Sequence, residues 1–161
     1  MESRIVPMQF SIANESPDQA DIHPLIQALD QTLDAEYEGF CNYRLDVSAL
    51  LSPQIRFFVA RETATRKVLG IGAVPFNEGF AEVKRMYSIP EARGTGVGEA
   101  ILVKILETIR SEGETVARLE TGEKLVAAVG LYKKYGFQPI PAFGEYVATA
   151  ETSYCMEARL Q

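Results

Sequence analysis

At 161 residues, 47% hydrophobic and 24% charged, the chain has the size and composition of one globular domain with a proper core. A net charge of -6 argues against generic nucleic-acid binding, which needs a basic face. No apolar run approaches the roughly eighteen residues of a membrane span, and one His with two distant cysteines, Cys41 and Cys155, gives a His/Cys metal site almost no ligands. Met1-Glu2-Ser3-Arg4 leads straight into a strand-like stretch with no signal-peptide core. The expectation is a cytoplasmic, soluble, metal-free protein that engages neither nucleic acid nor membrane.

Ile5 to Ile12 reads as a first strand. Ser16-Pro17-Asp18-Gln19 looks like a helix start with a capping box, followed by the stripe Ile22, Leu25, Ile26, Leu29 and Leu33. Pro24 complicates that first turn, because proline is comfortable only near a helix start. Val47 to Leu51 can form a short second helix. Ile55 to Arg61 and Val68 to Phe76 read as a hairpin pair, and Phe80 to Ile89 as a fourth strand stopped by Pro90. Downstream, Val97, Ile101, Leu102, Ile105, Leu106 and Ile109 recur at helical spacing. Val116 to Thr121 reads as strand five, and Ala128 to Tyr135 lies on a helix that Gly136 can end with a left-handed cap. Phe137 to Ile140 and Ser153 to Leu160 complete seven strands, with the loop Pro139 to Tyr146 between them. There are no repeats, low-complexity tracts or linkers.

The most informative segment is Arg93-Gly94-Thr95-Gly96-Val97-Gly98, between strand four and the periodic helix. A glycine-rich turn at a helix start leaves backbone N–H groups free and aligned, and with the helix dipole they form a phosphate site. A dinucleotide fingerprint would need Gly at 94, 96 and 99, but position 99 is Glu. A nucleotide P-loop needs Gly-Lys-Ser/Thr, which the chain lacks. The pattern Arg/Gln-x-x-Gly-x-Gly/Ala is met by Arg93, Gly96 and Gly98. A second signature, Ala-x-x-x-Tyr-x-x-x-Gly-Phe, is met by Ala128, Tyr132, Gly136 and Phe137.

On these two motifs and the order of elements around them, the chain resembles the GNAT superfamily of N-acetyltransferases, over roughly Ile55 to Leu160. The resemblance implies an α/β (α+β) GNAT fold: a mixed, mostly antiparallel sheet of six or seven strands flanked by about four helices. It implies one domain over 1–161 with a cofactor-binding core at about 55–137, and acetyl-coenzyme A (acetyl-CoA) as cofactor. Family members are often dimers, which makes a homodimer an expectation, although no sequence feature marks an interface.

The resemblance also implies roles. Coenzyme A would lie where strands four and five splay, its pantetheine pairing with backbone around Met86, Tyr87 and Ser88 as an added strand would. Its pyrophosphate would sit on the N–H groups of Arg93, Gly94, Thr95, Gly96, Val97 and Gly98, where the glycines let the backbone come close. Tyr132 holds the family position of the acid that protonates the sulfur; Tyr135 fits plain packing better. An alkylamine is only about a thousandth neutral at pH 7, so a base helps. Glu82 is the candidate, directly or through water, expected on one face of strand four with Lys84 and Met86. Glu120 is the rival base. Lys84 could instead recognise an acidic substrate group. Phe143 and Tyr146, with Tyr37, Phe40 and Tyr43, are expected on the acceptor side. Leu125 stands where many relatives carry Asn, which removes one polar contact to the cofactor arm.

Charge is unevenly spread. Between Glu15 and Asp46 there are eight acids and one base, Arg44, whereas between Arg93 and Lys134 seven bases face six acids. A cationic amine drawn to the first region and an anionic cofactor to the second suit that asymmetry, as does a merely solvated acidic helix face. The expected activity is acetyl transfer to the primary amine of a small molecule by direct attack in a ternary complex. The alternatives are a peptide or protein amine as acceptor, or a non-catalytic acyl-CoA-binding sensor.

Overall fold

The computed structural model describes residues 8–36, 44–123 and 125–161. It forms one mixed sheet of seven strands: β1 (Phe10–Asn14), β2 (Ile55–Glu62), β3 (Val68–Asn77), β4 (Phe80–Ser88), β5 (Val116–Thr121), β6 (Gln138–Ile140) and β7 (Tyr154–Arg159). Their order across the sheet is β1-β2-β3-β4-β5-β7-β6. Neighbours are antiparallel except β4 and β5, which run parallel over only three rungs, Ala81 with Ala117 through Val83 with Leu119. The helices among the described residues are α1 (His23–Glu36), α2 (Val47–Leu50), α3 (Val97–Ser111) and α4 (Val126–Lys134), with 3-10 turns at Pro90–Ala92 and Gly144–Thr149. None is long and apolar enough to cross a membrane.

The predicted mixed α/β sheet with flanking helices is what forms. The helix start at Ser16 is not. Ser16 to Ile22 form turns, in which the Gln19 side chain donates to the Ser16 carbonyl and the Asp18 N–H to the Ser16 hydroxyl. Helix α1 begins at His23, which places Pro24 in the first turn, where its missing N–H costs nothing.

Each face of the sheet carries its own core. All six stripe residues of α3 are 2% exposed or less and pack on β3 and β4. The helix sits close because β3 offers Gly70 and Gly72: a Cβ at Gly72 would lie 2.7 Å from Ile101 Cγ2 and from Met86 Sδ. On the opposite face, Ile22 just before α1, Leu25 and Ile26 of α1, and Leu50 of α2 pack against Phe57, Val59, Ile71 and Ala73.

Strand β4 does not alternate as an ideal strand. Its pairing with β3 passes from Ile71–Tyr87 to Ala73–Lys84, so β4 spends three residues where β3 spends two, and Arg85 takes φ 56°. This β-bulge puts Lys84 and Arg85 on the same side and reverses the phase beyond them. Met86 therefore joins the α3 core, against Gly72. The expectation that Met86 shares a face with Glu82 and Lys84 is corrected by the bulge.

Candidate active site

The bulge bends β4 away from β5 just past their three shared rungs. The resulting cleft, about 250 Å³, is lined from β4 by Val83, Lys84, Arg85 and Met86 and from β5 by Glu120 and Thr121. Leu125, Ala128 and Tyr132 of the α4 segment close one side, while Leu29 and Leu33 of α1, Arg44, Tyr146 and Thr149 close the other.

The predicted anion loop follows the far end of β4. Gly94 and Gly96 take φ 78° and 92°, a left-handed conformation costly for other residues, and Gly96 is the N-cap of α3 without a side-chain cap. The first N–H groups of α3, at Val97, Gly98 and Glu99, have no acceptor further back in the helix and remain available to a ligand. Arg93 reaches from the loop to the Ser88 carbonyl at 3.3 Å and lies over the Tyr87 ring, and the Thr95 hydroxyl donates to the Ala92 carbonyl. Ser88 Oγ would lie 3.5 Å from a Cβ at Gly98, so the end of β4 and the loop adjoin. Glu99 accepts from Lys134 Nζ and from the Tyr135 hydroxyl, both at 2.5 Å, and so ties the first turn of α3 to the end of α4.

Tyr132 is buried on α4, edge-on to Phe137 with ring centroids 5.8 Å apart. Burial pushes its hydroxyl up to about 12, so the phenol keeps its proton. Glu120 lines the same cleft. Burial raises its carboxyl to about 7, with the Lys84 ammonium pulling it down and Glu82 and Glu145 adding to the rise. Glu82 stands one step back. Its carboxylate accepts from the Tyr146 hydroxyl at 2.6 Å and lies 3.7 Å from Lys84 Nζ, with burial raising its pKa. It lines an adjoining cavity of about 280 Å³ with Lys84, Glu145, Phe80 and Phe143. Tyr146 and Lys84 line both cavities. The Tyr146 ring meets Phe143 edge-on at 5.2 Å, and its hydroxyl pKa is raised by burial and by Glu82.

The predicted residues are therefore divided. Tyr132, Glu120, Lys84, Met86 and Tyr146 meet at the cleft; Glu82 and Phe143 meet in the cavity beside it; Tyr87 packs toward the α1 face. Tyr37, Phe40 and Tyr43 lie outside the described residues. Sequence reasoning did not single out Arg85, whose strained backbone has no signature, nor assign a role to Arg44, although a lone base in an acidic stretch was a visible signal.

The fold is shared with known proteins. A family model described as an acetyltransferase (GNAT) domain matches residues 53–139. The chain belongs to the GNAT acetyltransferase family. It is 40% identical over 138 residues to the IAA acetyltransferase of Azospirillum brasilense, covering 84% of this chain and 89% of the relative. A Klebsiella pneumoniae structure assigned as an acyl-CoA N-acyltransferase superposes with a TM-score of 0.79 at 30% identity, covering 94% of this chain and 98% of the other. The PaiA N-acetyltransferase of Thermoplasma acidophilum, solved with coenzyme A, shares the fold at a TM-score of 0.70 and 20% identity, over 94% of this chain and 99% of its own. This GNAT chain is thus an N-acetyltransferase dependent on acetyl-CoA. Its residues suit that cofactor: the loop glycines leave room at the α3 N-terminus, nothing lies within 4 Å of a Cβ built on Gly94 or Gly96, and the β4 edge beyond Val83 is unpaired on the cleft side.

Proposed function

We propose that this enzyme acetylates the primary amine of a small molecule, by direct attack within a ternary complex, and that it acts in the cytoplasm as a single domain over 1–161. The observation that carries the reading is one cleft lined by both a neutral phenol and a carboxyl poised near neutrality. A catalytic base works best with a pKa near the operating pH. Acetyl-CoA supplies the acetyl thioester. Met86, Tyr87 and Ser88 offer backbone to its pantetheine arm, and the loop N–H groups from Arg93 to Gly98 take its pyrophosphate.

Glu120, ionised above about pH 7, accepts the proton of the incoming ammonium and leaves the nitrogen lone pair free to attack. Tyr132 Oη holds the proton that the departing thiolate requires. Glu82 acts from behind: its charge helps keep Glu120 basic, and the Tyr146 hydroxyl fixes its position. Lys84, paired with Glu145 at 2.9 Å, and the aromatic pair Phe143 and Tyr146 border the acceptor. The cleft is small, which favours a small acceptor over a protein tail, and the name of the A. brasilense relative supports the same choice.

The test is thiol release from acetyl-CoA with a panel of amines, polyamines, amino acids, aminoglycosides and short peptides, with cofactor binding measured in parallel by calorimetry. Turnover of a small amine supports the reading. Tight cofactor binding with turnover of peptide amines alone would replace the acceptor class, and failure to bind acetyl-CoA would remove the reading altogether.

A further inference from the structure

The cleft wall carries a charge pattern that an amine acceptor alone does not explain. Its charged liners among the described residues are three bases, Arg44, Lys84 and Arg85, and one acid, Glu120. In a chain with net charge -6 and an acidic α1 segment, that is the reverse of what recognition of a simple cationic amine calls for.

Arg85 is the most telling of the three. Its side chain is 4% exposed, and its hydrogen bonds run through one nitrogen only: Nη2 donates to Asp30 Oδ1 at 2.6 Å and to the Ile26 carbonyl at 3.3 Å. Nε is buried with no partner, and Nη1 donates to no described residue. A buried guanidinium with unused donors is costly unless something accepts from them. The bulge at φ 56° holds the residue at the cleft despite the backbone strain. Arg44 stands beside it, 3.9 Å from the same Asp30 and 2.8 Å from Asp34, whose side chain is 68% exposed. An exposed partner holds an arginine weakly, so Arg44 can turn to a ligand.

We propose that the acceptor is an amino carboxylic acid: its carboxylate binds Arg85 and Arg44, and its ammonium lies toward Glu120. A carboxylate can accept one charge-assisted hydrogen bond from Nη1 of Arg85 and a second from Arg44, which a plain amine cannot do. Leu29, Leu33 and Leu125 line the remaining wall and select an apolar body between the two charged ends. The inference rests on the acetyl-transfer reading above and adds the acceptor's second functional group.

Calorimetry on the full chain saturated with coenzyme A tests it, using matched pairs: L-tryptophan and tryptamine, L-phenylalanine and phenethylamine, ε-aminocaproate and n-pentylamine. At least one carboxylate member should bind about tenfold or more tighter than its decarboxylated partner. Arg85→Gln and Arg44→Gln should each erase most of that preference; Arg44, on the rim, is the variant that leaves the core untouched. The inference is overturned if the plain amines bind as well, if no pair binds, or if both variants keep the preference. Thiol release on the same compounds separates the two readings. Turnover of the plain amines without preference leaves the acetyltransferase reading and removes this one. A carboxylate preference in binding with no turnover of any compound overturns the acetyl-transfer reading and, with it, the assignment of the bound compound as acceptor.

Discussion

At the residue scale, burial shifts both ends of the proposed proton path the same way, toward holding the proton. Tyr132 becomes a weaker acid and Glu120 a stronger base than in water. Tyr132→Phe should lower kcat by about 10²–10⁴-fold, the usual contribution of a positioned acid, with the calorimetric Kd for acetyl-CoA unchanged. An unchanged kcat would remove Tyr132 from the chemistry. Because the Glu120 carboxyl is raised to about 7, kcat/KM for the acceptor should rise with pH and level off above that value, and Glu120→Gln should abolish this limb. Stability moves the other way. The folded state holds the Glu120 proton more tightly than the unfolded chain, so this group favours folding at low pH and loses that contribution as pH rises through about 7. Thermal scans should accordingly show Glu120→Gln with a higher Tm than the parent in mildly alkaline buffer and no such gain at acid pH.

At the element scale, function follows from two departures from regular strand geometry. The β4 bulge opens the gap beside β5, and the glycines of β3 let α3 settle against the sheet with its N-terminus level with the end of β4. Gly72→Ala would drive a Cβ to 2.7 Å from a branched methyl of Ile101, so α3 must move. Overpacking of this kind costs about 1–3 kcal/mol, and chemical denaturation should report it. Weaker acetyl-CoA binding should accompany it, because the displaced helix carries the loop N–H groups.

Periodicity and punctuation made most elements legible: the α3 stripe, the bounds of β5 and the Gly136 cap with φ 92° are found where the sequence puts them. The loop and Tyr132 were legible because they carry motifs that local chemistry demands. What was hidden depends on tertiary context. Nothing local says that Arg85 will adopt a left-handed conformation, so Met86 appeared to face the wrong way. The helix start at Ser16 was misplaced because Ser-Pro-Asp-Gln satisfies turns as well as it satisfies a cap. Glu82 ranked ahead of Glu120 as the base because nothing local says which of the two the gap exposes.

At the scale of the whole molecule, the sheet consists of two antiparallel blocks, β1 to β4 and β5 to β7, joined by the three rungs between β4 and β5. Cofactor that adds a strand's worth of hydrogen bonds to the open β4 edge would also protect it. Hydrogen–deuterium exchange of amides in 84–88 should slow on addition of acetyl-CoA, beyond any change in β1 or β2; equal protection throughout would argue against pairing at this edge.

The short seam also links abundance to metabolism. A ligand that spans the two blocks and binds only the native chain stabilises it by mass action, by about 2.7 kcal/mol at a hundred times its Kd. The lifetime of the enzyme against proteolysis would then rise and fall with the acetyl-CoA pool, so the cell would hold more of it when donor is plentiful without any change in its synthesis.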